Sequence, residues 1–139
     1  MKRVAVFFTI FAFSISALAA ETYGPYQADV VRVIDGDNVE LDVHIWPGLI
    51  QRISLRLAGV DTPEKYGSAC ERKLAAKATE FTTKFLDGVN LVTVQDIENG
   101  KYAGRVLGRL LMGEKDLAKE LIEAKLARPY KGGKRKKWC

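Results

Sequence analysis

Histidine and cysteine are scarce in this sequence: His44 stands alone, and Cys70 and Cys139 supply the two thiols. That scarcity removes whole classes of chemistry. No zinc site with Cys/His ligand spacing, no HExxH helix and no paired-histidine centre can be assembled from these residues. A Ser-His-Asp triad would need His44. That residue falls in an alternating run in which Val39, Leu41, Val43 and Ile45 take one face and Glu40, Asp42 and His44 the other, so a surface histidine is the simpler reading. Proline occurs four times and no low-complexity stretch is present, while 47% of the 139 residues are hydrophobic and 28% charged, the composition of a globular chain. One long apolar run exists, Val4 to Ala20. It follows Lys2 and Arg3 and contains Ala17-Leu18-Ala19 near its end, the pattern of a secretory signal peptide over residues 1–19. Beyond it no stretch approaches the roughly 18 apolar residues of a membrane span. Residues 20–139 are therefore expected to form one domain, secreted or periplasmic, free of the membrane and monomeric.

Charge is unevenly placed. The net charge is +5, but residues 128–139 hold six cations, Arg128, Lys131, Lys134, Arg135, Lys136 and Lys137, and no acid. Residues 20–127 carry fourteen cations against seventeen acids. The basicity is a tail, which favours polyanions such as nucleic acid or anionic lipid, or is a solvated terminus. Two cysteines in an exported chain suggest a disulfide between Cys70 and Cys139 that would staple this tail down; a buried thiol at Cys70 with a frayed end is the alternative.

Three strands, a helix, two strands and a shorter helix follow one another. Tyr26 to Ile34 is rich in β-branched residues but alternates poorly; Asp35-Gly36-Asp37-Asn38 is turn chemistry, and Val39 to Ile45 completes a hairpin. Trp46-Pro47-Gly48 breaks the chain before a third strand, in which Ile53, Leu55 and Leu57 alternate with Arg52, Ser54 and Arg56. Arg56 thus points away from the apolar row. Gly59 and Pro63 make 58–64 a loop. Ser68 and Glu71 form a capping-box pattern before a helix whose stripe is Cys70, Leu74, Ala78, Phe81 and Phe85, ended by Gly88. Asn90 to Ile97 reads as a fourth strand, Glu98-Asn99-Gly100 as a turn, and Arg105 to Met112 as a fifth strand. Asp116 caps a short helix with Leu117, Leu121 and Ile122 inward. Five strands with a helix between the third and fourth is the order of an OB-fold, a Greek-key barrel of α+β, mainly β, class; an unrelated α+β sandwich is the alternative.

Three separated segments hold the residues able to do chemistry: Asp35-Gly36-Asp37, then Arg56 with Asp61-Thr62-Pro63-Glu64, and Arg105. Singly, each has an ordinary explanation as a turn, a loop or a solvated strand edge. Together with Val33-Ile34 before the first, Leu55 to Val60 around the second, Lys101-Tyr102-Ala103-Gly104 before Arg105, and Leu126-Ala127-Arg128-Pro129-Tyr130, they resemble the staphylococcal nuclease family over Val30 to Tyr130. The closing Gly132-Gly133-Lys134 to Trp138-Cys139 is similar to exported bacterial members.

The resemblance implies a calcium-dependent phosphodiesterase acting on DNA and RNA and leaving 3′-phosphate ends. It implies that Asp37, Asp61 and the Thr62 carbonyl hold Ca²⁺, hard oxygen donors suited to that ion. Asp35 is then left to shape the turn. By the same resemblance Glu64 is the general base, and Arg56 and Arg105 clamp the phosphate, where a guanidinium meets growing charge with two fixed donors. Lys101 and Tyr102 fall beside a terminal phosphate, and Tyr130 near base or sugar. Single strands are expected to be preferred. The sequence departs from the family in having Asn38 after Asp37, Gly100 before Lys101 and the additional Ala103, which leaves Arg109 as an alternative to Arg105. Two other functions compete: a non-catalytic OB-fold module binding single-stranded nucleic acid, and a structural protein with a stabilising calcium ion.

Overall fold

The structure, a computed structural model, describes residues 19–139. The expected leader therefore lies, but for its last residue, outside the described residues. Among these, no helix is long and apolar enough to cross a membrane.

Strand β1 (Tyr26–Asp35) turns through Gly36 and Asp37 into β2 (Asn38–Trp46), which returns as β3 (Leu49–Leu57); a two-residue β4 (Val60–Asp61) follows. Helix α1 (Ala69–Leu86) leads to β5 (Val92–Asn99) and β6 (Arg105–Met112), then a short β7 (Lys115–Asp116), α2 (Leu117–Glu123) and a two-residue β8 (Arg128–Pro129). The five long strands run β3-β2-β1-β5-β6 with antiparallel neighbours, and β3 pairs in parallel with β6. That last pairing closes the sheet into the OB-fold barrel and removes its edges.

Alternation drives the closure. Val39, Leu41 and Val43 of β2, Leu55 and Leu57 of β3, and Val92 and Val94 of β5 fill the interior, all at most 1% exposed. Leu117 and Leu121 of α2 join the same core, each such side chain contributing about 1.5–3 kcal/mol of burial. Ile45 departs from the expected row: it is 39% exposed, because the β2–β3 hairpin runs on past the barrel and carries Trp46, Leu49 and Ile50 outward with it. The poor alternation of β1 has a physical cause too. Its register against β2 shifts between Val30 and Arg32 and again between Val33 and Asp35, and each bulge reverses which residues face inward.

Helix α1 begins as expected, with Ser68 Oγ accepting from Glu71 N at 3.2 Å. The Glu71 carboxylate does not complete the box on Ser68; it accepts from Glu64 N at 3.0 Å and so ties the helix to the preceding loop. The buried face is Ala75, Ala78, Thr82 and Leu86, with Leu74, Phe81 and Phe85 half-buried and Cys70 exposed. Small residues at its centre let the helix approach the barrel closely. Strand β5 is displaced from the expected span and continues to Asn99, so the turn falls at 100–104. In α2 the Asp116 cap is present and Ala118 is buried beside Leu117 and Leu121, while Ile122 is half-buried.

Cys70 and Cys139 are joined, with Cα atoms 6.2 Å apart across 69 residues of chain. The basic tail is thereby fastened to the start of α1. Chain-entropy models give about 3–5 kcal/mol for a loop of this length. Reduction with a thiol reagent is expected to lower the melting temperature of the folded protein clearly, and an unchanged transition in calorimetry would show that the bridge contributes nothing.

Candidate active site

The β1–β2 turn is built to present Asp37. Gly36 lies against α1, where an added Cβ would stand 2.7 Å from Ala78 Cβ, and Thr82 Oγ1 donates to Gly36 O at 2.7 Å. Glycine is needed here for close approach to a helix. The neighbouring carbonyl, Asp37 O, accepts from Leu57 N at 2.8 Å and locks the turn onto β3. Asn38 Nδ2 donates to Asp35 Oδ1 at 2.8 Å and to Asp37 Oδ1 at 3.1 Å, so the residue that departs from the family pattern holds both acids in place.

Directly across the β2–β3 ladder from Asn38 stands Arg56. Its Nη1 is 3.0 Å from Asp37 Oδ2, and its Nη2 is 3.9 Å from Asp61 Oδ1. Asp61 belongs to β4, paired with β8 through Asp61 and Arg128. From the tail, Arg135 reaches back over this loop. Its Nε donates to Asp61 Oδ1 at 2.6 Å, its Nη2 to Thr62 O at 2.9 Å, and its Nη1 lies 3.1 Å from Glu64 Oε1. Asp37, Arg56, Asp61, Arg135 and Glu64 thus form one row of alternating charge drawn from four parts of the sequence.

A cavity of about 300 Å³ opens beside this row, lined among others by Asp37, Arg56, Thr62, Glu64, Tyr66 and Arg105. Asp61 and Arg135 are not in its wall. Arg105 is exposed and pairs in register with Ser54, two residues before Arg56 on the same strand, which brings both arginines to one wall. Gly100 and Ala103 explain how it gets there. Gly100 N donates to Arg105 O at 3.1 Å, and Arg105 N to Tyr102 O at 3.1 Å, closing the lengthened loop; a Cβ at residue 100 would collide with the Arg105 carbonyl. Arg109, four residues further along β6 and about 13 Å away at strand spacing, faces Asp116 at 2.9 Å and Asp96 at 3.2 Å instead.

The remaining expected residues are spread more widely. Lys101 and Tyr102 are exposed on the 100–104 loop, with the Tyr102 ring 5.9 Å from the Arg105 guanidinium. Tyr130 does not line the cavity; its hydroxyl donates to Gly133 O at 2.6 Å and braces the tail. His44 is on the surface, 2.7 Å from Asp29.

The family described as Staphylococcal nuclease homologue matches residues 54–137, more than half of the chain, and takes in Arg56, Asp61, Thr62, Glu64, Arg105 and Arg135 but not the Asp35–Asn38 segment. The chain belongs to that family. No curated protein matches the sequence. Homologues of staphylococcal nuclease generally bind nucleic acid.

The calcium ion that the family resemblance implies can be tested against the donors present. Asp37 Oδ2 is buried and accepts no hydrogen bond, its approach to Arg56 lacking the alignment for one. Burial pushes the Asp37 carboxyl up to about 7, with the Arg56 guanidinium pulling the other way. A buried carboxylate oxygen without a donor is the kind of atom a hard cation completes, so the site fits. Among the described residues no three Asp, Glu, His or Cys side chains converge as ligands, so a bound ion would need carbonyl and water oxygens as well.

Sequence reasoning did not single out Arg135 or Trp138, and it read Asn38 only as a departure from the family pattern. Arg135 is one of six tail cations and nothing in its local pattern distinguishes it. The two β6 arginines separate cleanly in a stability measurement. Arg109→Ala, which strips buried Asp116 of its partner, is expected to cost about 1–3 kcal/mol, and Arg105→Ala less than about 0.5 kcal/mol. Equal losses in chemical denaturation would contradict this placement.

Proposed function

We propose that this protein is an exported, calcium-dependent phosphodiesterase that cleaves DNA and RNA within the chain and leaves 3′-phosphate ends. One observation carries the reading: Glu64, Asp37, Arg56 and Arg105, drawn from separate segments, meet at a single cavity. The N-terminal leader pattern and the disulfide support export to an oxidising compartment.

In this reading the phosphate lies between Arg56 and Arg105, whose forked donors meet the equatorial oxygens as their negative charge grows. Glu64, half-exposed at the cavity rim, takes a proton from the water that attacks phosphorus. The bond from phosphorus to the 5′ oxygen breaks, that oxygen leaves with a proton taken from solvent water, the proton on Glu64 returns to solvent, and the phosphate stays on the 3′ side. A carboxylate is a weak base at neutral pH, so alignment supplies much of the effect. Calcium, held by Asp37, Asp61 and the Thr62 carbonyl, would supply compensation for phosphate charge. Lys101 and Tyr102 stand beside Arg105 and suit the neighbouring phosphate and base of a flexible strand. An open groove with an exposed tyrosine favours single strands over a stiff duplex.

Purified protein lacking the leader is expected to digest denatured DNA in millimolar calcium and to stop when a chelator is added. Glu64→Gln should lower kcat by about 10²–10⁴-fold while the fold is retained. Tight binding of single strands without cleavage by the parent protein would replace this reading with that of a binding module.

A further inference from the structure

We propose that Arg135 is a positioning residue of the nuclease site, and that the disulfide-fastened tail is the outer support of the Asp61–Glu64 loop. The inference rests on the nuclease reading above and extends it to a residue outside the cavity.

Three acceptors on one short loop receive this single guanidinium: the Asp61 carboxylate, the Thr62 carbonyl and the Glu64 carboxylate. A planar fork with five donors in fixed directions sets those groups relative to one another; a lysine ammonium, a point charge on a flexible stem, does not. Trp138 adds a second constraint, with Nε1 donating to Asp61 Oδ2 at 3.2 Å. Arg135 Nε and Nη2 and Trp138 Nε1 occupy three of the roughly four lone-pair positions of the Asp61 carboxylate, leaving about one for a cation. The carboxylate is thereby aimed.

Thr62 and Glu64 line the cavity while Arg135 does not, so the guanidinium braces the loop from outside and leaves the substrate's space open. The tail that delivers it is itself fixed. Arg128 stacks on the Trp138 ring at 3.6 Å and donates to Lys137 O at 3.1 Å, Tyr130 N donates to Gly59 O at 2.8 Å, and Cys139 is bonded to Cys70. Arg135 is only half-buried, yet its partner Asp61 is 4% exposed. Groups that hold metal-ligating carboxylates in this way typically change metal affinity or activity by about 10- to 100-fold when altered.

The test is Arg135→Lys, which keeps the charge and removes the fork. Calcium affinity, measured by titration calorimetry on the full folded chain, is expected to fall about tenfold or more, and kcat on denatured DNA by a similar factor. KM for DNA should stay within about twofold, since the residue does not line the cavity. Trp138→Phe, which deletes one donor to Asp61 and keeps a ring for Arg128, should give the same split more weakly. Lys134→Ala, whose side chain has no part in this contact, should leave affinity and kcat unchanged. Tighter calcium binding in Arg135→Lys would show that the arginine competes with the ion. A raised KM at constant kcat would make it one more cation attracting phosphate. Unchanged affinity and kcat would make it structural, and each of these results overturns the proposal. Should Arg135→Lys fail to fold, an unaffected Trp138→Phe would overturn it equally. A parent protein that neither binds calcium nor cleaves would bring down the nuclease reading itself, which the variants alone do not.

Discussion

Burying the carboxylate of Asp61 is the constraint around which the molecule is arranged. A charge taken out of water costs several kcal/mol unless other groups meet it, and Asp61 is met from both directions along the sequence. Arg56 approaches from the barrel wall, and Arg135 and Trp138 approach from the tail. Neither set is local. The β3–β6 pairing must close before the wall that carries Arg56 is firm, and the tail must be docked before its donors arrive. The Cys70–Cys139 bond, the β4–β8 pairing and the Arg128–Trp138 stack all serve that docking. Within a basic terminus that composition leaves as either a polyanion-binding tail or a solvated end, Arg135 is folded back onto the Asp61–Glu64 loop.

The same buried charges explain why the two sides of the site differ. On the cavity side Asp37 keeps one oxygen without a donor, and its carboxyl is pushed upward by burial. On the tail side the Asp61 carboxylate already accepts three hydrogen bonds, two from Arg135 and one from Trp138. One acid keeps an oxygen that only the unaligned Arg56 guanidinium approaches, and the other is oriented by the protein. In the proposed calcium site this division would place more weight on geometry than on affinity.

Much of the barrel was legible in the sequence because its strands obey simple alternation. Val39, Leu41, Leu55 and Leu57 announce their faces, and Arg56 stands out as the charge opposite an apolar row. Beta-bulges defeat that reasoning in β1, where the period is broken twice, and in β5, where the register slips between Gln95 and Glu98 and Asp96 turns to Arg109. Helix α1 was legible in extent but its buried face was misjudged by one position, since alanines and a threonine fit against the Gly36 turn where phenylalanines would not. The Asp37, Arg56, Asp61 and Glu64 group could be named only through the family resemblance that its segments carry together, since each segment alone reads as a turn, a loop or a strand edge. Arg105 could not be separated from Arg109 by spacing, because the parallel β3–β6 pairing that places it is a contact between distant segments. Arg135 lay beyond sequence reasoning for the same reason: its meaning comes from three acceptors more than seventy residues away.

A crystal structure of the protein with calcium and a nucleoside 3′,5′-bisphosphate tests the central claim most directly. The expected result places the ion within about 2.3–2.6 Å of Asp37 and Asp61 oxygens, one phosphate between Arg56 and Arg105, and Arg135 still on the far side of the Asp61–Glu64 loop. An ion or nucleotide bound elsewhere on the barrel, with this cavity vacant, would contradict it.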